Sequence, residues 1–153
     1  MSYYDSASFR PEVRARLDPY RPKLDAAAAQ HGVPPDLMYG TIAAESSGQA
    51  DARGDGGVAQ GIWQVQTPFV RDWLGNGPDV RLDPVAVTQR IMPAFRKNLD
   101  TAGGDWALAT VGYMRGTGSK EYQRIKAGED PATVLADKGW VLARYKSMKA
   151  LQA

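Results

Sequence analysis

A single carboxylate, Glu45, stands where an apolar stretch gives way to a glycine-rich loop, in D-L-M-Y-G-T-I-A-A-E-S-S-G from Asp36 to Gly48. Helical spacing puts Met38, Thr41, Ile42 and Glu45 on one face. A carboxylate at the end of an apolar stripe is partly desolvated, and desolvation favours its protonated form. Such a group can hold a proton near neutral pH and donate it, which is what general acid catalysis requires. One glutamate at a helix end decides little by itself, because most are solvated or cap a neighbour. Several other chemistries have no residues to run on. There is no cysteine, so thiol nucleophiles, thiolate metal sites and disulfides are excluded. The single histidine, His31, argues against a Ser-His triad or a His-rich metal site. It precedes Gly32 at the end of an alanine-rich run and reads as a cation at a helix C-terminus. No metal and no cofactor are expected.

The elements that must position Glu45 follow from punctuation and periodicity. A chain of 153 residues, 43% hydrophobic and 24% charged, has the balance of one globular domain with a real core, so 1–153 is expected to form a single domain with 1–17 as a lead-in. Phe9, Val13 and Leu17 recur at spacing four, predicting a short helix over 10–17. Asp18-Pro19 opens a helix over 19–31, and Pro34-Pro35-Asp36 opens the one that carries Glu45 and ends at Ser46-Ser47-Gly48. From Gln49 to Gln60 small and polar residues predict a loop, with a small β-hairpin somewhere in 50–66. Thr67-Pro68, Asp83-Pro84 and Asp130-Pro131 open further helices. The longest, over 84–101, carries Val87, Ile91, Phe95 and Leu99 at spacing four and should kink at Pro93. Asp105 caps W-A-L-A-T-V-G-Y-M-R, which is apolar all round and therefore buried. Helices near 119–127 and 139–150 complete a mainly α chain with one loop-rich insert after Glu45.

Three blocks give Glu45 a context. E-S-S-G, followed by a loop and G-I-W-Q-V, resembles the Glu-Ser…Gly-Leu-Met-Gln pattern of lytic transglycosylases and goose-type lysozymes. The flank P-P-D-L-M-Y-G-T-I-A-A-E-S is similar to that family's helix leading to its catalytic glutamate. G-G-D-W-A-L-A-T-V-G-Y-M-R-G-T-G resembles its Gly-Asp…Ala-Leu-Ala-Ala-Tyr-Asn-Ala-Gly segment. The blocks occur in order and cover about residues 24–118. The resemblance implies a lysozyme-like, mainly α fold that cleaves the β-1,4 bond between N-acetylmuramic acid and N-acetylglucosamine in peptidoglycan. It implies Glu45 as general acid and then base, with the muramic 6-hydroxyl as nucleophile and a 1,6-anhydro end as product. It also implies a substrate-side role for Ser46, a close backbone approach at Gly61, a place on the cleft floor for Gln64, and a cleft tyrosine at Tyr113. Ser46 can equally be a helix C-terminal hydroxyl.

The chain departs from the pattern in two places. Met114 replaces the asparagine after the tyrosine, so an amide contact to the sugar is missing or comes from elsewhere. Ile62-Trp63 replaces Leu-Met, and Trp63 is either a core residue or a ring that stacks on a sugar. The run G-D-G-G-V-A-Q-G-I-W-Q also resembles the goose-type run, aspartate included. Asp55, or less readily Asp51, either positions a water for inverting hydrolysis or simply makes a turn. The alternatives to a transglycosylase are thus a hydrolysing lysozyme and, with Met114 in view, an inactive wall-binding or phage structural module.

The expected partner is the peptidoglycan glycan strand. A net charge of +2 calls for no nucleic acid, and no apolar run is long enough for stable membrane insertion. A monomer is expected. Lys138, Arg144, Lys146 and Lys149, interleaved with Trp140, Val141, Leu142, Tyr145, Met148 and Leu151, predict an amphipathic helix that closes the core, or else docks on an anionic surface. The N-terminal stretch has neither a basic n-region nor an apolar h-region. The expectation is a chain made in a host cytoplasm that acts on the wall, as a holin-released endolysin or a virion-associated lysin of a phage.

Overall fold

The computed structural model describes all residues, Met1–Ala153. Helices α1 (Pro11–Leu17), α2 (Arg21–Gln30) and α3 (Pro35–Ser46) come first. A small sheet follows, of β1 (Arg53–Gly54), β2 (Ala59–Gln60) and β3 (Val65–Gln66). Then come α4 (Val70–Leu74), α5 (Pro84–Thr101), α6 (Trp106–Arg115), α7 (Lys120–Lys126), α8 (Pro131–Val134) and α9 (Gly139–Gln152). The chain is mainly α, as its periodicity predicts. It divides into two compact units, Met1–Ala94 and Phe95–Ala153, with α5 contributing to both. No helix is long and apolar enough to cross a membrane.

In the first unit the lead-in is fastened to the helices. Tyr4 packs on Phe9 and Tyr39 with ring centroids 4.8 and 4.6 Å apart. Its hydroxyl donates to Asp18 Oδ1 at 2.6 Å, and the Tyr39 hydroxyl donates to Asp25 Oδ1 at 2.6 Å. Burial first, and then these carboxylates, push both phenols well above the usual tyrosine range. The backbone N–H of Tyr3 donates to Asp36 Oδ1 in the first turn of α3. At the other end of α3, Ser47 takes a left-handed conformation (φ 54°) and Gly48 follows at φ 76°. A side chain at Gly48 would press on Leu17 and Val13 at 3.1–3.3 Å, so α1 packs closely against the turn that ends α3.

The insert after α3 is a three-stranded antiparallel sheet in the order β1-β2-β3, where the sequence predicts a hairpin. Arg53 pairs with Gln60, and Gln60 pairs with Val65. Each strand is only two residues long, so the ladder supplies few bonds and the insert depends on side chains for its shape.

The Asp-Pro and Thr-Pro pairs that punctuate the sequence separate into two kinds. Asp83 and Asp130 are true caps, accepting from Val85 and Ala86 N–H and from Ala132 N–H. At Asp18 and Thr67 the pair opens a 3-10 turn with no side-chain cap. The Asp18 carboxylate is engaged by Tyr4 instead. Pro93 lies inside α5 without ending it.

In the second unit α6 packs against α7 and α9. Ala107 to Gly112 are all buried, as an all-round apolar helix requires. Asp105 caps it through the Leu108 N–H at 3.1 Å. A Cβ at Gly112 would meet Asn98 Oδ1 at 2.6 Å, so α6 packs closely there. Val141, Tyr145 and Met148 turn the apolar side of α9 inward, while Trp140 stays 59% exposed. Lys138, just before α9, pairs with Glu121 at 3.1 Å.

Candidate functional site

The stripe on α3 that leads to Glu45 is buried: Met38 and Ile42 have no exposed surface, and Thr41 hydrogen-bonds back to the Leu37 carbonyl. Glu45 continues this face one turn later and is half-buried. The helix thus delivers a carboxylate at the rim of an apolar core, the placement that helical spacing predicts.

Ser46, the next residue, turns inward. It is buried, and its hydroxyl lies 2.9 Å from the Ile62 carbonyl and 3.1 Å from that of Ile42, while accepting the Gly48 N–H at 3.0 Å. These bonds make Ser46 a joint between the end of α3 and the turn 61–64. The reason is local: the left-handed turn at Ser47 brings the Gly48 N–H back over the hydroxyl.

The turn itself is Gly61-Ile62-Trp63-Gln64, closed by the Gln64 N–H on the Gly61 carbonyl at 3.1 Å. Gly61 has φ 81°, and a Cβ on it would lie 1.8 Å from the Arg81 carbonyl oxygen. The close approach expected of this glycine is therefore made to the protein's own backbone. Trp63 is a core residue. It has no exposed surface and its indole N–H donates to Thr88 Oγ1 at 2.9 Å, so its ring offers no face for a sugar to stack on. Gln64 adopts φ 50°, and its Nε2 donates to the Ala52 and Gly61 carbonyls at 3.0 and 2.9 Å. Both amide protons thereby staple the loop at 52 to the turn at 61.

Asp55 is exposed, at the start of a 3-10 turn in the tip of the insert. Its φ of 52° is left-handed, which aspartate tolerates better than most residues. Its carboxylate accepts from Gln66 Nε2 at 3.3 Å. Asp51 is also exposed. Ser47, Asp55 and Gln64 are the three non-glycine residues with positive φ, and all three fall in the stretch that the motif singles out. Local backbone strain of this kind gathers at functional sites.

In the second unit, Tyr113 and Met114 lie half-buried on α6. The Tyr113 ring meets Phe95 edge-on, with centroids 5.8 Å apart. The Met114 thioether has no N–H to offer in place of the family's asparagine. His31 caps α2, with its Nδ1 3.2 Å from the Ala27 carbonyl.

Residues that no motif marks complete the first unit's part of this framework. Arg81 is buried, with its guanidinium against Asp79, the Val58 and Val65 carbonyls and Thr67 Oγ1. The Arg81 side chain holds the Asp79 carboxyl below the usual carboxylate range against the opposing effect of burial, with a lesser contribution from the Arg81 backbone N–H. A carboxyl lowered on folding stabilises the fold above its unfolded pKa, and this is lost only as pH falls through the lowered value. In sequence, D-V-R at 79–81 looks like any polar loop. The one available signal was the acid and base two residues apart within a loop.

The family model of the transglycosylase SLT domain matches residues 23–134. The match takes in well over half of the chain and runs through both units, and the chain belongs to this family. Members are peptidoglycan lytic transglycosylases, enzymes of the glycosidase type with a lysozyme-like, mainly α fold; peptidoglycan is accordingly the substrate. Comparison with curated proteins and with solved structures returned no match.

The turn generates a prediction that is independent of activity. Gly61→Ala puts a methyl group into a backbone carbonyl at a left-handed position and should destabilise by at least ~2 kcal/mol. Gly56→Ala, also at positive φ but with open space around it, should cost less, about 1 kcal/mol from the left-handed backbone alone. Denaturant unfolding of the two variants checks the difference.

Proposed function

We propose that the chain cleaves the β-1,4 bond between N-acetylmuramic acid and N-acetylglucosamine with Glu45 as general acid and base, leaving 1,6-anhydro-muramic ends. The observation that carries this reading is the position of Glu45: half-buried, at the end of a buried apolar stripe, on a helix end tied by Ser46 to the motif turn. Glu45 gives its proton to the glycosidic oxygen, and the bond from that oxygen to the anomeric carbon breaks. The N-acetyl oxygen of the muramic residue covers the electron-poor carbon. The Glu45 carboxylate then takes the proton of the muramic 6-hydroxyl as its oxygen closes on that carbon. The acid is regenerated, and no second enzyme carboxylate and no water are consumed.

The hydrolytic alternative asks Asp55 to hold a water across the sugar ring. Its left-handed turn and its bond to Gln66 support a turn-forming role instead. The role of Tyr113 rests on the resemblance of its segment alone. Both units are proposed to belong to one catalytic domain, since the family match runs through both.

Two substitutions test this reading. Glu45→Gln should abolish wall lysis with the fold intact by circular dichroism; a variant that clears a cell suspension as fast as wild type contradicts the assignment. Asp55→Asn should keep turnover within about twofold, whereas a loss of about a hundredfold or more would mark Asp55 as the water-positioning base.

A further inference from the structure

Arg81 is 5% exposed and lies outside the three blocks that carry the resemblance. Asp79 takes its Nε and Nη2 at 2.9–3.1 Å. Its Nη1 lies 3.0 Å from the Val58 and Val65 carbonyls and 3.1 Å from Thr67 Oγ1. Its own carbonyl lies under Gly61, where a Cβ would come within 1.8 Å. The side chain therefore grips the tip of the insert at Val58, its last strand at Val65 and the segment after it at Thr67, while the backbone carbonyl lies close against Gly61.

The ordinary explanation is an ion pair, buried on the arginine side and open on the aspartate side, that stabilises the fold. Stability alone accounts poorly for it, because burying a guanidinium costs several kcal/mol of desolvation that apolar packing avoids. A planar fork, however, fixes several oxygens at once, in directions that no single ammonium can serve. The strands here are two residues long, so position must come from such a fork. The turn it fixes is the one joined to the end of α3, beside Glu45, through Ser46 and Ile62.

We propose that Arg81, seated on Asp79, is a positioning residue for the transglycosylase reaction: it holds the insert, and with it the strand that follows the turn 61–64, in register with the end of α3. This rests on the reading of Glu45 given above. A misplacement of about 1 Å at a reacting centre can cost up to a hundredfold in rate. The loss falls on the chemical step, since what shifts is the support beside Glu45.

The test measures kcat and KM on purified peptidoglycan, the thermal midpoint, and the ratio of anhydro to reducing muramic ends. Arg81→Lys keeps the charge and loses the fork. A folded Arg81→Lys protein should lose at least about tenfold in kcat with KM within about twofold. Thr67→Val, which removes one acceptor of Nη1, should lower kcat by about two- to threefold. Wild-type kcat in folded Arg81→Lys overturns the proposal, as does a loss no larger than the unfolded fraction explains. If Arg81→Lys does not fold, an unchanged kcat in Thr67→Val overturns it. Reducing ends alone from the wild type would contradict the cyclisation reading, while the kcat and KM split would still decide the role of Arg81.

Discussion

The hydrogen bond between the Ser46 hydroxyl and the Ile62 carbonyl joins the two halves of the motif. On one side of it lies the helix that delivers Glu45; on the other lies the turn 61–64. Each side is separately immobilised. The helix end is wound into a left-handed turn at Ser47, with Gly48 pressed on Leu17 and Val13. The turn is pinned by the Gly61 N–H on Ala52, the Trp63 indole on Thr88 and the Gln64 amide on Ala52, and Gly61 packs closely against the Arg81 carbonyl. A hydroxyl buried between two such bodies fixes a distance, because its loss leaves a carbonyl unsatisfied in the core.

This accounts for a division of labour within the motif. Most of its polar groups are used on the protein itself. Ser46, Trp63 and Gln64 each place their hydrogens on a neighbouring carbonyl or hydroxyl. Gly61 meets a backbone oxygen, and Asp55 takes the Gln66 amide. These residues build the support, and Glu45 stands at its edge with part of its surface open. A pattern that looks like a row of substrate contacts has most of these side chains bonded within the protein, beside Glu45. Such a frame suits a reaction in which the substrate brings its own nucleophile, because one well-placed proton donor is then sufficient.

What the sequence makes legible follows the range of the forces involved. Helices α3, α5 and α6 show through their 3.6-residue periodicity and their capping residues, which are local signals. The buried stripe Met38, Thr41, Ile42 with Glu45 at its end follows from spacing alone. The sheet is legible only as a turn-rich insert, since strands of two residues leave no alternation to read. Spacing alone also leaves the direction of each motif side chain open. Trp63 as core or sugar platform, and Ser46 as contact or joint, depend on Thr88 and Ile62, which are distant in sequence or contribute only a carbonyl. Arg81 is the extreme case. Its partners at Val58 and Val65 are backbone oxygens, and backbone oxygens have no residue identity to recognise.

The central claim is that the substrate's own hydroxyl, and not water, attacks the carbon from which Glu45 has helped to expel the leaving group. Digesting purified peptidoglycan in heavy-oxygen water and weighing the released muropeptides tests it directly. The account predicts muramic ends one water lighter than a hydrolysed end and carrying no heavy oxygen. Reducing muramic ends labelled with heavy oxygen as the principal initial product would contradict it.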